Sequence, residues 1–314
     1  MRKQKDYFSE YININGIEQY LLHYSSSDEH PVLLFLHGGP GMSESTFAYA
    51  FQEHLSSLFT VVHWDQRGSG KTLARAKGKK SYPSAYELLD DLFELVQYLK
   101  EKYNKEKIVI LGHSWGSVLG TLFVKKYPQE VLYYLGAGQV IDIVENEKVG
   151  YEKVKELIIQ AGNKKDLSSL NKIGIYPEKN YEKPMIKKIQ KIRILQGKYK
   201  VGMNFLPIIK VLFKSPIFKF SDISSLFKGM SNNKKIWDFL FTHNLYEESR
   251  DYKVPVFYIL GDRDFQAPYT IANCYFDTIN APNKKVFIVK DAGHFMMLDQ
   301  PKAFADALAE ISKL

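Results

Sequence analysis

The sequence predicts an α/β fold with a mostly parallel central sheet, flanking helices and a helical insertion. Short, wholly apolar runs recur in the first and last parts of the chain, as in strands covered on both faces. Segments with helical spacing of apolar residues separate several of these runs. The alternation stops between Gln139 and Arg250, where the sequence is helical, aromatic and basic.

The first part of the chain supplies most of the predicted sheet. Asn15-Gly16 lies between segments 7–14 and 17–24 and favours a hairpin turn. Ser84 and Glu87 form a capping box that starts a helix over 84–103, with Tyr82 and Leu88 placed for a hydrophobic staple. The other predicted elements are strands Val32–Leu36, Phe59–Trp64, Ile108–Leu111 and Val131–Leu135, and a helix over Trp115–Tyr127.

Strand-type runs return at Val254–Leu260 and Lys285–Val289, and a last helix covers about Pro301 to Lys313. The order of strands and crossover helices predicts a parallel sheet. We therefore expect a core domain formed by residues 1–138 and 251–314, with a helical insertion at 139–250.

The amino-acid composition limits the classes of protein to which the chain can belong. The 314 residues are 45% hydrophobic and 25% charged, which is ordinary for a soluble globular protein. Cys274 is the one cysteine, so the chain forms no internal disulfide, and the sequence shows no Cys/His cluster for a metal. The N-terminus lacks the apolar segment of a signal peptide, and no stretch is long and apolar enough for a membrane span. These features predict a cytoplasmic protein.

The net charge of +8 is concentrated in the insertion. Residues 139–250 hold 21 Lys+Arg against 12 Asp+Glu, and the rest of the chain holds 22 against 23. The lysines are scattered among acids and no nucleic-acid-binding motif accompanies them, so we interpret them as a solvated surface. We expect neither nucleic acid nor membrane as a partner.

Gly112-His113-Ser114-Trp115-Gly116 is a G-x-S-x-G motif between a predicted strand and a predicted helix. A nucleophile elbow places a serine on such a strand-to-helix turn, with small residues two positions away on either side. The alternative is a glycine-rich turn with a capping serine. The strand and helix on either side favour Ser114 as a nucleophile.

A serine hydroxyl needs a base, and in this arrangement the acid and the histidine follow it in that order. His294 follows the last predicted strand and is favoured over His243, which lies in the insertion. Asp264 is favoured as the acid because it lies further past a strand end than Asp262, and Asp142 is a third candidate.

An oxyanion hole requires two N–H donors near the nucleophile. The N–H of Trp115 follows the serine directly. The loop His37-Gly38-Gly39-Pro40-Gly41 follows a predicted strand, and its glycines let the backbone approach a substrate. We assign the second donor to Gly39; a plain tight turn is the alternative.

Taken together, these motifs resemble the proline iminopeptidase branch of the α/β-hydrolase fold. The resemblance rests on HGGPG at 37–41, DQRGSGKT at 65–72, GHSWGS at 112–117, GDRD at 261–264 and the GH of 293–294, in the expected order. It implies a cap over the active site, no cofactor, Ser114, Asp264 and His294 as a triad, and release of an N-terminal residue, often proline, from small peptides. It also implies that Asp65 and Arg67 organise loops near the site.

The insertion departs from the family pattern. Iminopeptidases are similar to one another in having cap glutamates near a tryptophan that bind the substrate amine. Here Trp237 is followed by Asp238, and Glu247-Glu248 lie ten residues on. We therefore predict a small-molecule or short-peptide substrate and keep two alternatives open: an esterase, lactonase or amidase with the same triad, and a non-catalytic binding protein on this scaffold.

Overall fold

One eight-stranded sheet organises the part of the chain that the computed structural model describes, residues 7–76, 83–178, 183–203 and 205–314. The strands are β1 (Tyr7–Ile14), β2 (Ile17–Tyr24), β3 (Val32–Leu36), β4 (Thr60–Asp65), β5 (Ile108–His113), β6 (Val131–Ala137), β7 (Val256–Gly261) and β8 (Lys284–Val289). Their order across the sheet is β1-β2-β4-β3-β5-β6-β7-β8.

The sheet is parallel except at one edge. β1 pairs with β2, and β2 with β4, in antiparallel fashion, whereas every pairing from β4 onward is parallel. The carboxyl ends of β3, β5, β7 and β8 therefore lie along the same edge, which is where open α/β sheets bind ligands.

Helices cover both faces of the sheet. They are α1 (Tyr49–Gln52), α2 (Gly70–Arg75), α3 (Ala85–Lys102), α4 (Trp115–Lys126), α5 (Ile143–Gln160), α6 (Lys164–Asn171), α7 (Lys183–Lys198), α8 (Phe205–Lys214), α9 (Phe220–Asn232), α10 (Lys234–Thr242), α11 (Tyr269–Thr278), α12 (Met296–Asp299) and α13 (Pro301–Ile311). Two apolar clusters fill the space between helices and sheet, one against α3, α4 and α11 and the other against α1, α12 and α13. The all-apolar strands are buried because both faces are covered.

Helices α5 to α10 lie between β6 and β7, where the sequence predicts the insertion. A third, separate apolar cluster joins α5, α6 and α7 through Val154, Ile158, Leu170, Ile173, Ile192 and Leu195. The insertion thus has a small core of its own. Its status as a cap domain with boundaries at 139 and 250 stays a prediction.

The predicted strands and helices are found, with small differences at their ends. β5 extends two residues past Leu111 because Gly112 and His113 still pair with neighbouring strands. β7 begins at Val256, two residues later than expected, since Pro255 has no N–H to donate to the sheet. Tyr82, the predicted staple residue, lies outside the described residues.

Within the described ranges, no helix combines the length and apolar character needed to cross a membrane. The same ranges hold no group of three or more His, Cys, Asp or Glu side chains placed to ligate a metal ion.

The capping box of α3 provides a test of the fold. Ser84 Oγ accepts the Glu87 N–H at 3.2 Å, and Glu87 Oε2 accepts the Ser84 N–H at 2.8 Å. We expect Ser84→Ala to lower the free energy of unfolding by about 1 kcal/mol, because it leaves an N-terminal N–H without its partner. Ser168→Ala, at an exposed position inside α6, is the matched control and should be near neutral. Urea denaturation measures both; equal losses would contradict the capping role.

Candidate active site

Four loops meet at the carboxyl edge of the sheet, after β3, β5, β7 and β8. They carry Gly39, Ser114, Asp264 and His294, respectively. Gly138, which follows β6, lies among them: a side chain built there would come within 3.3 Å of Asp264 Oδ2 and 3.5 Å of the His294 ring. The preceding residue, Ala137, accepts the Ser114 N–H at 3.0 Å. The structure therefore brings the predicted serine, histidine and aspartate together.

Ser114 occupies a strained turn between β5 and α4. Its φ of 53° is unusual for a residue with a side chain. A Cβ on Gly112 would overlap the carbonyl of Gly116, and one on Gly116 would overlap the carbonyl of Leu36. The crowding explains the glycines two positions from the serine on either side, as expected for a nucleophile elbow.

His294 and Asp264 form a buried hydrogen-bonded pair. His294 Nδ1 lies 2.8 Å from Asp264 Oδ2, and the Asp264 side chain is 1% exposed. Its Oδ1 accepts the N–H groups of Gln266 and Ala267 at 2.8 and 3.0 Å. Burial alone would raise the pKa of Asp264, but the His294 charge and these hydrogen bonds outweigh it and lower the pKa.

The hydrogen bond to Asp264 determines which ring nitrogen of His294 carries the proton. An ionised Asp264 only accepts hydrogen bonds, so His294 Nδ1 must carry the donated proton. The other ring nitrogen, Nε2, is left to accept a proton from elsewhere. Within the described residues no hydrogen bond joins the Ser114 hydroxyl to this ring, but both side chains line the same cavity.

The two predicted oxyanion donors lie on that cavity as well. Trp115 is the first residue of α4, so its N–H has no acceptor inside the helix. Gly39 has φ 116°, a conformation that favours glycine. A side chain at the neighbouring Gly38 would come within 3.0 Å of Ser114 Cβ, which places this loop directly against the serine.

A buried pair behind the serine links three of these loops. Glu44 Oε1 lies 2.5 Å from His113 Nδ1 and accepts the Gly38 N–H at 3.2 Å. His113 Nε2 donates to the carbonyl of His294 at 2.8 Å. Glu44 and His113 are 1% and 0% exposed. The loop that carries Gly39, the elbow and the loop that carries His294 are thus tied together through one imidazole ring.

The Glu44 carboxylate favours the protonated form of His113. Burial would lower the pKa of His113, but the charge and hydrogen bond of Glu44, with the carbonyl of His294, outweigh burial and raise it. Protonated His113 donates from both ring nitrogens, which matches its two acceptors.

The cavity beneath α5, α7 and α10 has a volume of about 570 Å³. Its wall is largely apolar, and Arg193 is a charged exception. The apolar lining consists of Met42, Val140, Ile143, Ile186, Ile189, Ile194, Met203, Trp237, Leu240 and Phe295.

The competing candidates lie elsewhere or have other partners. Asp142 caps α5 by accepting the N–H groups of Val144 and Glu145. Asp262 is half-buried and makes no hydrogen bond to the histidine ring, and the neighbouring Arg263 pairs with Asp291. His243 pairs with Glu248 at 3.4 Å in the insertion.

The acids considered as amine anchors are surface groups. Asp238 pairs with Lys234, Glu248 pairs with Lys125, and Glu247 is exposed. Trp237, which precedes Asp238 in the chain, lines the cavity.

Asp65 and Arg67 organise loops, as expected. Asp65 is buried and accepts the Ser43 hydroxyl and the Lys71 N–H. Arg67 Nε donates to Asp91 Oδ2, and its Nη2 to Asp91 Oδ1, both at 2.8 Å. This bidentate pair joins the loop after β4 to α3.

Sequence reasoning missed Glu44, His113 and Arg193. His113 occupies the variable position of G-x-S-x-G directly before the serine, which is a signal for a role at the site. Glu44 and Arg193 carry no comparable motif, since their partners lie 69 and 46 positions away along the chain.

Comparisons with known proteins agree with this fold. Residues 31–146 match the family model described as alpha/beta hydrolase fold. The chain is 28% identical over 301 residues to "Probable aminopeptidase YbaC" of Bacillus subtilis, covering 95% of this chain and 94% of that protein. It is 27% identical over 128 residues to a proline iminopeptidase of Neisseria meningitidis, covering 41% of this chain and 39% of that one.

Among solved structures, the proline iminopeptidase of Mycobacterium smegmatis shares the fold with a TM-score of 0.69, at 18% identity and with 98% of each chain covered. The chain has the α/β-hydrolase fold, and along almost its whole length it is similar to the aminopeptidase named above. The predicted α/β-hydrolase fold and the predicted resemblance to proline iminopeptidases are thereby confirmed.

We expect the contribution of the Glu44–His113 pair to the free energy of unfolding to depend on pH. Because the folded pKa of His113 is raised, its contribution is fully present below the unfolded value, near pH 6.5, and is lost as the pH rises through the folded pKa. We expect Glu44→Gln to lower the free energy of unfolding by about 1–3 kcal/mol at pH 6 and by less at higher pH.

Glu130→Gln is the matched control, since Glu130 pairs with Lys100 and not with a histidine. Its effect should stay constant between pH 6 and pH 9. Urea denaturation across that range measures both variants. A Glu44→Gln effect that is flat or grows with pH would contradict a protonated His113.

Proposed function

We propose that Ser114, His294 and Asp264 form a catalytic triad that hydrolyses a small substrate through an acyl-enzyme. The observation that carries this proposal is the buried Asp264–His294 pair, at 2.8 Å, on the same cavity as a serine held in an elbow. The carboxylate holds the imidazole in the tautomer whose Nε2 accepts a proton.

In the proposed first step His294 Nε2 takes the hydroxyl proton of Ser114 as Oγ attacks the substrate carbonyl. The N–H groups of Gly39 and Trp115 donate to the oxygen, which becomes negative as the tetrahedral intermediate forms. The positive end of the α4 helix dipole favours the same charge. His294 then gives the proton to the leaving group, and the acyl group remains on Ser114.

In the second step water attacks the acyl-enzyme. His294 Nε2 takes a proton from the water, the oxygen of the new intermediate occupies the same two N–H donors, and the proton returns to Ser114 Oγ as the acid product leaves. Asp264 stays ionised throughout and stabilises the imidazolium that forms in each step. The proposal requires no cofactor.

For the substrate we propose a short peptide whose N-terminal residue is released, proline or another apolar residue. The named aminopeptidase of Bacillus subtilis, aligned over 95% of this chain, supports that choice. The apolar lining beside Ser114 supports it as well, because Val140, Trp237 and Leu240 can enclose a ring or an aliphatic side chain.

The second candidate is an esterase or amidase acting on an uncharged acyl group. The cavity lining favours it, since none of the described lining residues has a carboxylate that could pair with a substrate ammonium group. Both candidates use the same triad and differ only in the group that the cavity recognises.

The triad is tested by Ser114→Ala. We expect turnover to fall by about 10³-fold or more, because the remaining two residues have no nucleophile to act on. Thermal unfolding and circular dichroism should match those of the parent protein. Near-normal hydrolysis by a folded Ser114→Ala protein would remove the serine from this role.

The substrate candidates are separated by a matched pair of amides: L-proline 4-methylcoumarin-7-amide and the same compound acetylated on its nitrogen. An aminopeptidase that recognises the free amine should have a kcat/KM at least about tenfold higher for the first compound. The reverse preference, together with hydrolysis of 4-nitrophenyl butyrate, would favour the second candidate. Ser114→Ala serves as the blank for all three compounds.

A further inference from the structure

Arg193 places a charged side chain in a largely apolar cavity. It lies on α7, in the insertion, and lines the same cavity as Ser114 and His294. Its side chain is only 14% exposed. A guanidinium held away from water needs partners for its charge and for its N–H groups.

The charge of Arg193 is balanced by Glu147 of α5. Arg193 Nη2 donates to Glu147 Oε1, and the Tyr176 hydroxyl donates to Glu147 Oε2. The Glu147 side chain is fully buried. Burial would lower the pKa of Arg193, but the charge of Glu147 outweighs it and raises the pKa, so Arg193 stays charged and Glu147 balances that charge.

The hydrogen-bonding capacity of Arg193 is not exhausted. A guanidinium has five N–H donors. Glu147 takes one, and Gln196 Oε1 accepts another from Nη1 at 2.9 Å. Within the described ranges no third acceptor lies in hydrogen-bonding distance of this side chain. Because Arg193 lines the cavity, its remaining N–H groups are available to an acceptor that a ligand brings there.

We propose that Arg193 is a specificity residue that donates a hydrogen bond to an uncharged carbonyl oxygen of the substrate, other than the oxygen of the bond that is cleaved. The inference rests on the proposed hydrolytic function and deepens it. In a short peptide the next peptide carbonyl is such an acceptor; in an ester it is an oxo group along either chain.

The carboxylates near Arg193 indicate that its ligand is a neutral acceptor and not a third carboxylate. Glu147 already neutralises Arg193, and the Asp264 carboxylate is also near enough to act on the guanidinium charge. A substrate carboxylate would be a further negative charge around one cation in a water-poor cavity, where like charges are costly. A ketone or amide oxygen accepts the same hydrogen bond without that repulsion.

The test uses matched esters. One pair is 4-nitrophenyl pentanoate and 4-nitrophenyl 4-oxopentanoate, which differ by one carbonyl on the acyl side. The other pair is butyl hexanoate and 3-oxobutyl hexanoate, which differ on the leaving side. We expect the parent enzyme to favour the oxo member of at least one pair by about tenfold or more in kcat/KM, the range of a hydrogen bond to a charged group.

Two variants separate recognition from folding. The double variant Arg193→Met with Glu147→Gln removes both charges together, so no unpaired charge is left buried. It should lose the preference for the oxo ester. Lys188→Met is the matched control, because Lys188 lies on the same helix and pairs with Glu178 away from the cavity lining. It should keep the preference.

The single variant Glu147→Gln separates substrate recognition from a purely structural role of the pair. It leaves Arg193 with an unbalanced positive charge, so 4-nitrophenyl hydrogen glutarate should gain about tenfold or more in kcat/KM relative to the pentanoate. A purely structural role of the pair would lower all rates together and leave these ratios unchanged.

The inference is overturned if the parent enzyme cleaves the members of both pairs equally, if the double variant keeps the preference, or if Glu147→Gln leaves the glutarate ratio unchanged. Failure of the proposed function gives a different result. If the chain is not a hydrolase that uses Ser114, the parent protein will cleave none of the esters or peptides faster than Ser114→Ala does.

Discussion

The hydrogen bond between Asp264 and His294 is the interaction on which the rest of the site depends. A buried carboxylate is costly unless hydrogen bonds and an opposite charge stabilise it. Asp264 has two backbone N–H donors on one oxygen and the imidazole on the other. These contacts lower its pKa, keep it an acceptor and so determine which histidine nitrogen is free to act as a base.

That bond can form only because the sheet delivers its loops to one edge. β7 and β8 are adjacent and parallel, so the loops that follow them carry Asp264 and His294 side by side. The elbow after β5 reaches the same place through the Ser114 N–H bond to β6. Glu44 and His113 hold the loop of Gly39 and the main chain of His294 against the elbow, which limits how far these three segments can move apart.

Much of this arrangement can be predicted from the sequence, because it follows from local rules. Apolar runs predicted the central strands, the capping box predicted the start of α3, and the order of the motifs predicted which loops meet. The Glu44–His113 and Glu147–Arg193 pairs could not be predicted in the same way. Each joins residues from distant elements, and neither a helical period nor a turn signal marks a carboxylate that becomes buried beside a cation.

The two buried pairs, Glu44–His113 and Glu147–Arg193, lie in different parts of the site. The Glu44–His113 pair holds the backbone of the site, whereas the Glu147–Arg193 pair lies where the inserted helices cover the cavity. In the function that we propose, chemistry therefore depends on the core of the sheet, and recognition depends on the insertion. Such a division lets one triad act on different substrates as the covering helices change.

The proposed triad can be measured by the site and rate of labelling with a fluorophosphonate, read by peptide mass spectrometry. We expect one covalent adduct, on Ser114, in the parent protein, and labelling that is slower by orders of magnitude when His294 is replaced by glutamine. An adduct on another residue, or labelling of Ser114 at an undiminished rate without His294, would contradict it.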